Sequence, residues 1–395
     1  MCVSPGAVLC YRRPGDDKWI TKYVGNMCRD EAIREGFDID VLTAKAHGLD
    51  AKWSTVPCGQ CHECRLQRSR VWANRCMLEM ADYPPDNGVC RNWFLTLTYA
   101  DGYTDDLRSP VDGMTLTLHN PNSERNALLA DIRHQNAIKA VYSDFVTEMP
   151  VHVPKPLRDH LAQFNHDLRQ YWKYHYGHDG IRFFACGEYG DLRMRPHYHG
   201  VYFNLPIDPS DLKPLFKNKF GDQFYNVDTL SEIWGKGFVV VSEASWTNCA
   251  YTARYIMKKQ TGENAEAAYH DLGILPPFVR MSRKPGIGFS AFKGYDSYCD
   301  IDDVTGEIRF KKKIVLPNAT EHVDPLCNHP RYFDKLMEAQ DPAFMEVVKE
   351  WRNKMSDIAY KAQKKVLPMS DRELFSFRKE AYDKHPVGLF RATIE

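Results

Sequence analysis

The pattern of apolar and polar positions predicts four strands in the middle of the chain. The run from Trp93 to Tyr99 is rich in β-branched and aromatic residues and ends before an Asp-Gly turn, which predicts a buried strand. The runs from Ile181 to Cys186 and from Tyr198 to Phe203 predict two more strands, paired as a hairpin through residues 187–196. A shorter strand is predicted over Gly237 to Val241.

Helical periodicity marks the segments between and after these strands. Apolar residues recur at helical spacing from Pro156 to Tyr176, which predicts a helix facing the core. Helices are also predicted over residues 65–80, which carry several arginines, and over residues 246–259, which end in two lysines. A short helix is expected near residues 125–146. Apolar steps of four and three over residues 344–362 predict one long amphipathic helix.

These elements suggest three consecutive domains. Residues 1–90 contain many Pro and Gly breakers, so they are expected to be irregular apart from the arginine-bearing helix. Residues 91–260 follow the order strand, helix, hairpin, helix, strand, helix, with residues 101–156 as an insertion. Residues 261–395 are expected to be mostly helical.

Composition narrows the class of protein. The 395 residues are 43% hydrophobic and 26% charged, which predicts folded domains rather than disorder. No apolar run approaches the ~20 residues of a membrane-spanning helix, so we expect a soluble protein without a membrane partner. The segment Met1–Pro5 does not resemble a secretory signal, which favours a reducing compartment. Lys plus Arg and Asp plus Glu both number 52, so a nucleic-acid surface requires local clustering of basic residues.

A pair of histidines in the second strand of the hairpin is the first candidate site. His197 and His199 are two residues apart, and a strand places such residues on the same face. Glu188 ends the partner strand and could add a carboxylate oxygen, giving a site of two imidazoles and one carboxylate for a divalent metal. The alternatives are histidines that are merely hydrogen-bonded and a glutamate paired with Arg193 or Arg195 at the surface.

A pair of tyrosines in the helix at residues 246–259 is the second candidate. Tyr251 and Tyr255 are four residues apart, so both phenols project from one helix face. Lys258 and Lys259 follow about one turn later. The alternative is an aromatic stripe packed in the core beside solvated lysines.

The cysteines near the start of the chain form the third candidate. Six of the 12 cysteines lie in the first 64 residues, and Cys58, Cys61 and Cys64 form a doubled Cys-x-x-Cys that leads into the arginine-bearing helix. Three closely spaced thiols suit a tetrahedral zinc. The fourth ligand is left open among other nearby residues, with Cys2 as the working assignment; the candidates are Cys2, Cys10, Cys28 and His62. The alternative is a set of reduced cysteines without metal.

Together these motifs resemble the replication initiator proteins of microviruses, in particular the gokushovirus branch, which are HUH endonucleases. The resemblance runs from Cys2 to Gly288 and is specific in the order and spacing of its blocks. The insertion at 101–156 is longer than in compact members. The blocks are 56–61 with Cys64, Arg65, Leu66 and Arg68–Arg70, then 94–99, 186–190 with 195–199, 251–255 with Lys258 and Lys259, and 281–288.

The resemblance implies an α+β fold, an HUH-endonuclease-like central antiparallel sheet flanked by helices, with a Cys-rich N-terminal region and a helical C-terminal region. Residues 91–260 are then the nuclease domain. His197 and His199, with Glu188, hold Mg²⁺ or Mn²⁺, while Tyr251 and Tyr255 are the nucleophiles. Lys258 favours the phenolate or stabilises the transition state, and Zn²⁺ at the cysteines is structural.

The function implied is initiation of rolling-circle replication. A tyrosine nicks the viral origin, forms a 5′-phosphotyrosyl link, and the displaced strand is later rejoined. The expected partners are origin DNA, single-stranded or locally melted, and the host helicase and polymerase in the cytoplasm of a bacterium. The residues expected to contact DNA are Arg65, Arg68, Arg193, Arg195, Lys258, Lys259, Arg283 and Lys284.

Two rival functions remain at this point. A related HUH transposase or relaxase shares the chemistry but acts on a different DNA. A zinc-containing nucleic-acid-binding protein without catalysis accounts for the cysteines and basic residues alone. A covalent protein–DNA adduct separates the enzymes from the binding protein.

Overall fold

The structure is a computed structural model that describes residues 5–16, 19–59, 61–100, 104–108, 115–119, 155–189, 196–218, 221–258, 277–302, 304–317 and 326–384. The chain divides into two compact units. The first combines residues 1–68, 301–312 and 335–393, and the second combines residues 69–300, 313–334 and the last two residues. Among the helices of the described ranges, none has both the length and the apolar character to cross a membrane.

The strands are β1 (Gly6–Arg12), β2 (Ile20–Asn26), β3 (Asp50–Val56), β4 (Asn92–Tyr99), β5 (Thr104–Arg108), β6 (Thr115–His119), β7 (Arg182–Tyr189), β8 (Pro196–Phe203), β9 (Lys213–Lys217), β10 (Gln223–Asn226), β11 (Gly237–Glu243), β12 (Phe278–Met281), β13 (Cys299–Ile301), β14 (Ile308–Phe310), β15 (Lys313–Val315) and β16 (Leu326–Asn328). The helices are α1 (Arg29–Arg34), α2 (Phe37–Ala46), α3 (His62–Met80), α4 (Lys155–Tyr176), α5 (Asp228–Trp234), α6 (Trp246–Lys258), α7 (Arg331–Gln340), α8 (Pro342–Val366) and α9 (Asp371–Lys384). These bounds confirm the predicted strands β4, β7, β8 and β11 and the predicted helices α3, α4, α6 and α8.

The second unit is built on a seven-stranded sheet in the order β12-β7-β8-β4-β11-β10-β9. Every neighbouring pair in this sheet is antiparallel. The sheet with its flanking helices confirms the α+β class. Strand β12 lies beyond residue 260, so the sheet draws on chain past the predicted end of the nuclease domain, and the predicted domain boundaries stay a prediction.

The two faces of this sheet bury different helices. Odd-numbered residues of β4, such as Leu95 and Leu97, pack in one core cluster with Leu161 and Phe164 of α4. Even-numbered Phe94 packs in a second cluster, on the opposite face, with residues of α3 and α6. Because side chains alternate across a strand, the even and odd positions of β4 are committed to opposite faces. The face under α6 is the one that carries the candidate chemistry.

The expectation of an irregular N-terminal region was wrong. In the first unit β1 pairs with β2 and β3 in a three-stranded antiparallel sheet, accompanied by α1 and α2. Strand β2 is exposed at almost every position, so its sequence lacks an apolar face. The buried cluster here is small, centred on Ala7, Ala32 and Phe37. A sheet held by such a small core leaves a weak periodic signal in the sequence.

Other expectations were partly wrong or fall outside the described residues. The hairpin β9–β10 was not predicted, because its strands have five and four residues and β9 is exposed throughout. After residue 260, helices α7 to α9 confirm the helical C-terminus, but residues 277–328 contain strands of three or four residues, too short for a periodic signal. Within the insertion, β5 pairs with β6. The helix expected near residues 125–146 lies outside the described residues.

A buried ion pair on the second unit gives a stability prediction. Glu79 is 2% exposed, pairs with Arg182 and accepts a hydrogen bond of 2.6 Å from the backbone N–H of Gly288. Removing one partner of such a pair leaves the other charge buried and uncompensated. We expect Glu79→Ala to lower the free energy of unfolding by about 3 kcal/mol, measured by urea denaturation.

The matched control is the exposed pair of Arg309 and Glu307. Their side chains are 67% and 63% exposed, so solvent screens the attraction. We expect Glu307→Ala to change the unfolding free energy by less than about 0.5 kcal/mol. Equal effects of the two substitutions would contradict the assignment of Glu79 as a buried anchor.

Candidate active site

Three predicted metal ligands meet where β7 and β8 pair. The antiparallel register puts Glu188 opposite His197, and Cys186 opposite His199. The Nε2 atom of His197 donates a hydrogen bond of 2.9 Å to Oε1 of Glu188. The Nε2 atom of His199 lies 3.3 Å from the same oxygen. The hairpin therefore brings both imidazoles and the carboxylate to one point, as their spacing predicts.

Burial and hydrogen bonding act against each other on Glu188. The residue is 1% exposed, and burial alone would raise its pKa. The hydrogen bonds from His197 and His199 outweigh burial and lower the pKa of Glu188 to about 2. Glu188 is consequently an anionic oxygen donor throughout the neutral pH range.

His199 is held from two sides by residues of β4. Thr96 lies opposite His199 in the register of β4 and β8, and its Oγ1 is 3.0 Å from Nδ1 of the imidazole. The ring of Phe94 stacks on the imidazole, with centroids 5.6 Å apart and planes at 7°. These contacts fix the ring so that Nε2 points toward Glu188. Fixing the second nitrogen of a histidine is the usual way in which a protein orients a metal-binding imidazole.

Helix α6 brings Tyr251 to the same point. Ala250 and Ala253 are buried against the sheet, and Ser69 of α3 donates a hydrogen bond of 2.9 Å to the carbonyl oxygen of Ala250. The Oη atom of Tyr251 then lies 3.5 Å from Nε2 of His199. The Tyr251 ring meets Phe94 edge-on, with centroids 6.1 Å apart. A phenol thus adjoins the candidate metal ligands.

The other predicted residues of α6 follow along the same helix. Tyr255 lies one turn after Tyr251, and Lys258 is the last residue of α6. The side chains of Tyr255 and Lys258 lie outside what the structure describes, as do Lys259, Arg193 and Arg195. Their roles stay predictions.

The basic and cysteine residues predicted near α3 lie in the first unit. Arg65 and Arg68 are in the first two turns of α3, and Arg68 is exposed. Cys58, Cys61 and Cys64 bring their sulfur atoms within 4.8 Å of one another. Cys2 lies outside the described residues. In the second unit, Arg283 and Lys284 are exposed. That any of these residues contacts DNA stays a prediction.

The donor set at Glu188 fits an octahedral divalent ion. Ligands at about 2.1 Å from Mg²⁺ in adjacent octahedral positions stand about 3.0 Å apart. The observed separations of 2.9 and 3.3 Å from Oε1 to the two Nε2 atoms bracket that value. Two imidazoles and a carboxylate on one side of an ion leave its remaining positions open for oxygens of a substrate. The residues present therefore fit Mg²⁺ or Mn²⁺.

Sequence reasoning assigned no role to Thr96 or Phe94 individually. Both lie in the predicted strand β4, and their even numbering puts them on the face opposite Leu95 and Leu97. A threonine on an otherwise apolar buried strand is a signal that could have been read, because a buried hydroxyl requires a hydrogen-bond partner. The partner itself depends on which strand lies beside β4.

Comparison with known proteins gives a consistent result. A family model for replication-associated proteins of the ORF2 type matches residues 146–260. The replication-associated protein ORF2 of Spiroplasma virus 4 is 31% identical over 304 residues, which are 76% of this chain and 74% of that protein. The replication-associated protein VP4 of Bdellovibrio phage phiMH2K is 24% identical over 315 residues, covering 78% and 77%.

A shorter match is closer in sequence. The replication-associated protein ORF4 of Chlamydia phage 1 is 41% identical over 103 residues, which are 26% of each chain. No solved structure matches the chain significantly. The length and identity of the match to the Spiroplasma virus protein, with the matching family model, show that this chain belongs to the microvirus-type family of phage replication-associated proteins.

Proposed function

We propose that this protein initiates rolling-circle replication by nicking the viral origin, with a tyrosine of α6 as the nucleophile. The observation that carries the proposal is the position of Tyr251, whose Oη lies 3.5 Å from Nε2 of His199 within a donor set suited to Mg²⁺ or Mn²⁺. Family membership supports the role in replication, and the geometry supports the chemistry.

The chemistry requires a tyrosine to act at neutral pH. A phenol with a pKa near 10 is ionised in about one molecule in a thousand at pH 7, a deficit of roughly 4 kcal/mol. A divalent ion held by Glu188, His197 and His199 supplies a Lewis acid for a phosphoryl oxygen of the DNA. The chain itself positions the phenol, because α6 is packed on the sheet through Ala250 and Ala253.

The proposed reaction exchanges one ester bond for another. The Tyr251 oxygen forms a bond to phosphorus and loses its proton, while the bond from phosphorus to the 3′-oxygen breaks and that oxygen takes up a proton. The products are a 5′-phosphotyrosyl link and a free 3′-OH for a host polymerase. Tyr255, one turn further along α6, is proposed to cleave the regenerated origin while Tyr251 remains esterified, so that the displaced strand is closed.

The substrate of this reaction is proposed to be origin DNA, single-stranded or locally melted. The exposed Arg68, Arg283 and Lys284 are suited to phosphate contacts, as are the predicted Arg65, Arg195 and Lys259. The host helicase and polymerase are the expected partners, in the cytoplasm of the bacterial host.

The direct test is capture of the covalent intermediate. The full chain is incubated with single-stranded DNA from its own genome and Mn²⁺, and the adduct is digested and mapped by mass spectrometry. We expect a nucleotide attached through its 5′-phosphate to Tyr251 or Tyr255. Metal-dependent DNA binding with no adduct and no cleavage would favour the non-catalytic binding protein, and cleavage only of unrelated DNA would favour a transposase or relaxase.

Thr96 gives a more specific prediction within this proposal. Its hydroxyl orients His199, so Thr96→Val, which keeps the shape of the side chain, removes that contact. We expect a 10- to 100-fold loss of Mn²⁺ affinity, of the size that loss of such supporting partners causes. Calorimetric titration with Mn²⁺ measures this loss. Thr96→Ser retains a hydroxyl and should restore most of the affinity; equal defects in both variants would show that packing, not the hydrogen bond, is what matters.

A further inference from the structure

Three cysteines converge at the start of α3, in a place that the proposed nicking chemistry does not use. Cys58 and Cys61 lie in the turn before the helix, and Cys64 lies in its first turn. Their three sulfur atoms lie within 4.8 Å of one another. The sulfur atoms of Cys58 and Cys64 are 4.0 Å apart.

These separations distinguish a metal site from a disulfide. A disulfide joins two sulfur atoms at about 2.05 Å, roughly half the observed separation. Four ligands arranged tetrahedrally around zinc at about 2.3 Å stand about 3.8 Å apart. The 4.0 Å between Cys58 and Cys64 is close to that value. The thiols are therefore spaced as ligands of a common ion.

The backbone of the turn supports thiolate ligands. Gly59 adopts a φ of +75°, a left-handed conformation that glycine takes without strain, and the chain reverses there. The reversal lets the N–H of Cys61 donate a hydrogen bond of 3.3 Å to the sulfur of Cys58. A donor directed at sulfur favours its anionic form, which is the form that binds metals.

Positive charge also surrounds the cluster. Helix α3 is 19 residues long and begins at His62, so the positive end of its dipole lies among the three cysteines. A Cβ placed on Gly59 would lie 3.7 Å from a guanidinium nitrogen of Arg68, which puts that cation against the cysteine turn. Three thiolates around Zn²⁺ carry a net charge of minus one, which both features stabilise.

We propose that Cys58, Cys61 and Cys64 bind one Zn²⁺ and that a ligand from outside this trio completes the tetrahedron. The ion anchors the N-terminal end of α3 to the preceding turn. The core cluster of this unit is centred on only three buried residues, Ala7, Ala32 and Phe37. With so little apolar burial, a metal that contributes folding free energy directly has a large share in ordering this part of the chain.

The test is elemental analysis of the full chain, purified under reducing conditions without chelator. We expect about one zinc per chain in the unaltered protein. Cys58→Ser and Cys64→Ser should each lose it. The control is Cys90→Ser, since Cys90 only donates to the carbonyl oxygen of Asn92, at 3.2 Å, and serine can do the same. A double variant, His197→Ala with His199→Ala, should keep its zinc, which separates this site from the one on β8.

Cobalt substitution keeps the proposal testable if the cysteine variants fail to fold. In the unaltered protein and in the double histidine variant, Co²⁺ should produce an intense thiolate-to-metal charge-transfer band that disappears when the thiols are blocked. A chain that carries neither zinc nor iron and gives no such band would overturn the proposal. Retention of full zinc by Cys58→Ser and Cys64→Ser would do the same.

Discussion

Replacing both Tyr251 and Tyr255 by phenylalanine should abolish nicking and covalent attachment to DNA. Each change removes only a hydroxyl, so the packing of Tyr251 against Phe94 is preserved and the fold should be retained. We expect the cleavage rate to fall by roughly 10⁴-fold or more, since loss of a nucleophile removes the covalent route itself. Cleavage of end-labelled origin DNA measures the rate, and circular dichroism checks the fold.

The single variants distinguish an alternating scheme from a single nucleophile. We expect Tyr251→Phe and Tyr255→Phe each to retain some first cleavage and to lose coupled strand transfer. Tyr174→Phe is the matched control, because that tyrosine is 86% exposed on α4. Full strand transfer by both single variants would contradict the alternating scheme.

Substitution of either site histidine by alanine should remove divalent-metal-dependent cleavage. His197 and His199 direct their Nε2 atoms at the same oxygen of Glu188, so each variant leaves an incomplete donor set. We expect Mn²⁺ affinity to fall by at least about 100-fold, more than the loss of a supporting hydrogen bond costs. Calorimetry with Mn²⁺ and a cleavage assay measure the two effects.

DNA binding should separate from cleavage in these histidine variants. Affinity for DNA depends mostly on Lys and Arg contacts with phosphates, so it should change little in a filter-binding assay. His166→Ala is the control, because His166 is exposed on α4. Unaltered metal-dependent cleavage in His197→Ala or His199→Ala would place the ion elsewhere.

The candidate site was largely predictable because its parts are local in sequence. His197 and His199 share a face of β8 by the two-residue period of a strand, and Glu188 is their cross-strand neighbour in a hairpin. The doubled Cys-x-x-Cys likewise brings three sulfur atoms together within one turn and the start of a helix. Short spacings of this kind constrain geometry whatever the rest of the chain does.

Elements with weak apolar patterns were not predictable in the same way. Strand β2 is exposed at nearly all positions and β9 at all of them, so neither shows alternation between a buried and an exposed face. Their pairing depends on backbone hydrogen bonds, which leave no mark on side-chain composition. Strand β12 has only four residues, and its place at the edge of the large sheet comes from pairing with β7.

The sequence by itself determined the residue types of the site, the hairpin that carries the metal donors, and the helix that carries both tyrosines. Tertiary structure alone decided that β8 lies between β7 and β4, which puts Thr96 next to His199 although 103 positions separate them. It also decided that α6 packs on the same face, within 3.5 Å of His199. Periodicity reports which face of an element is buried, whereas the neighbour that buries it follows from pairing and packing across long stretches of chain.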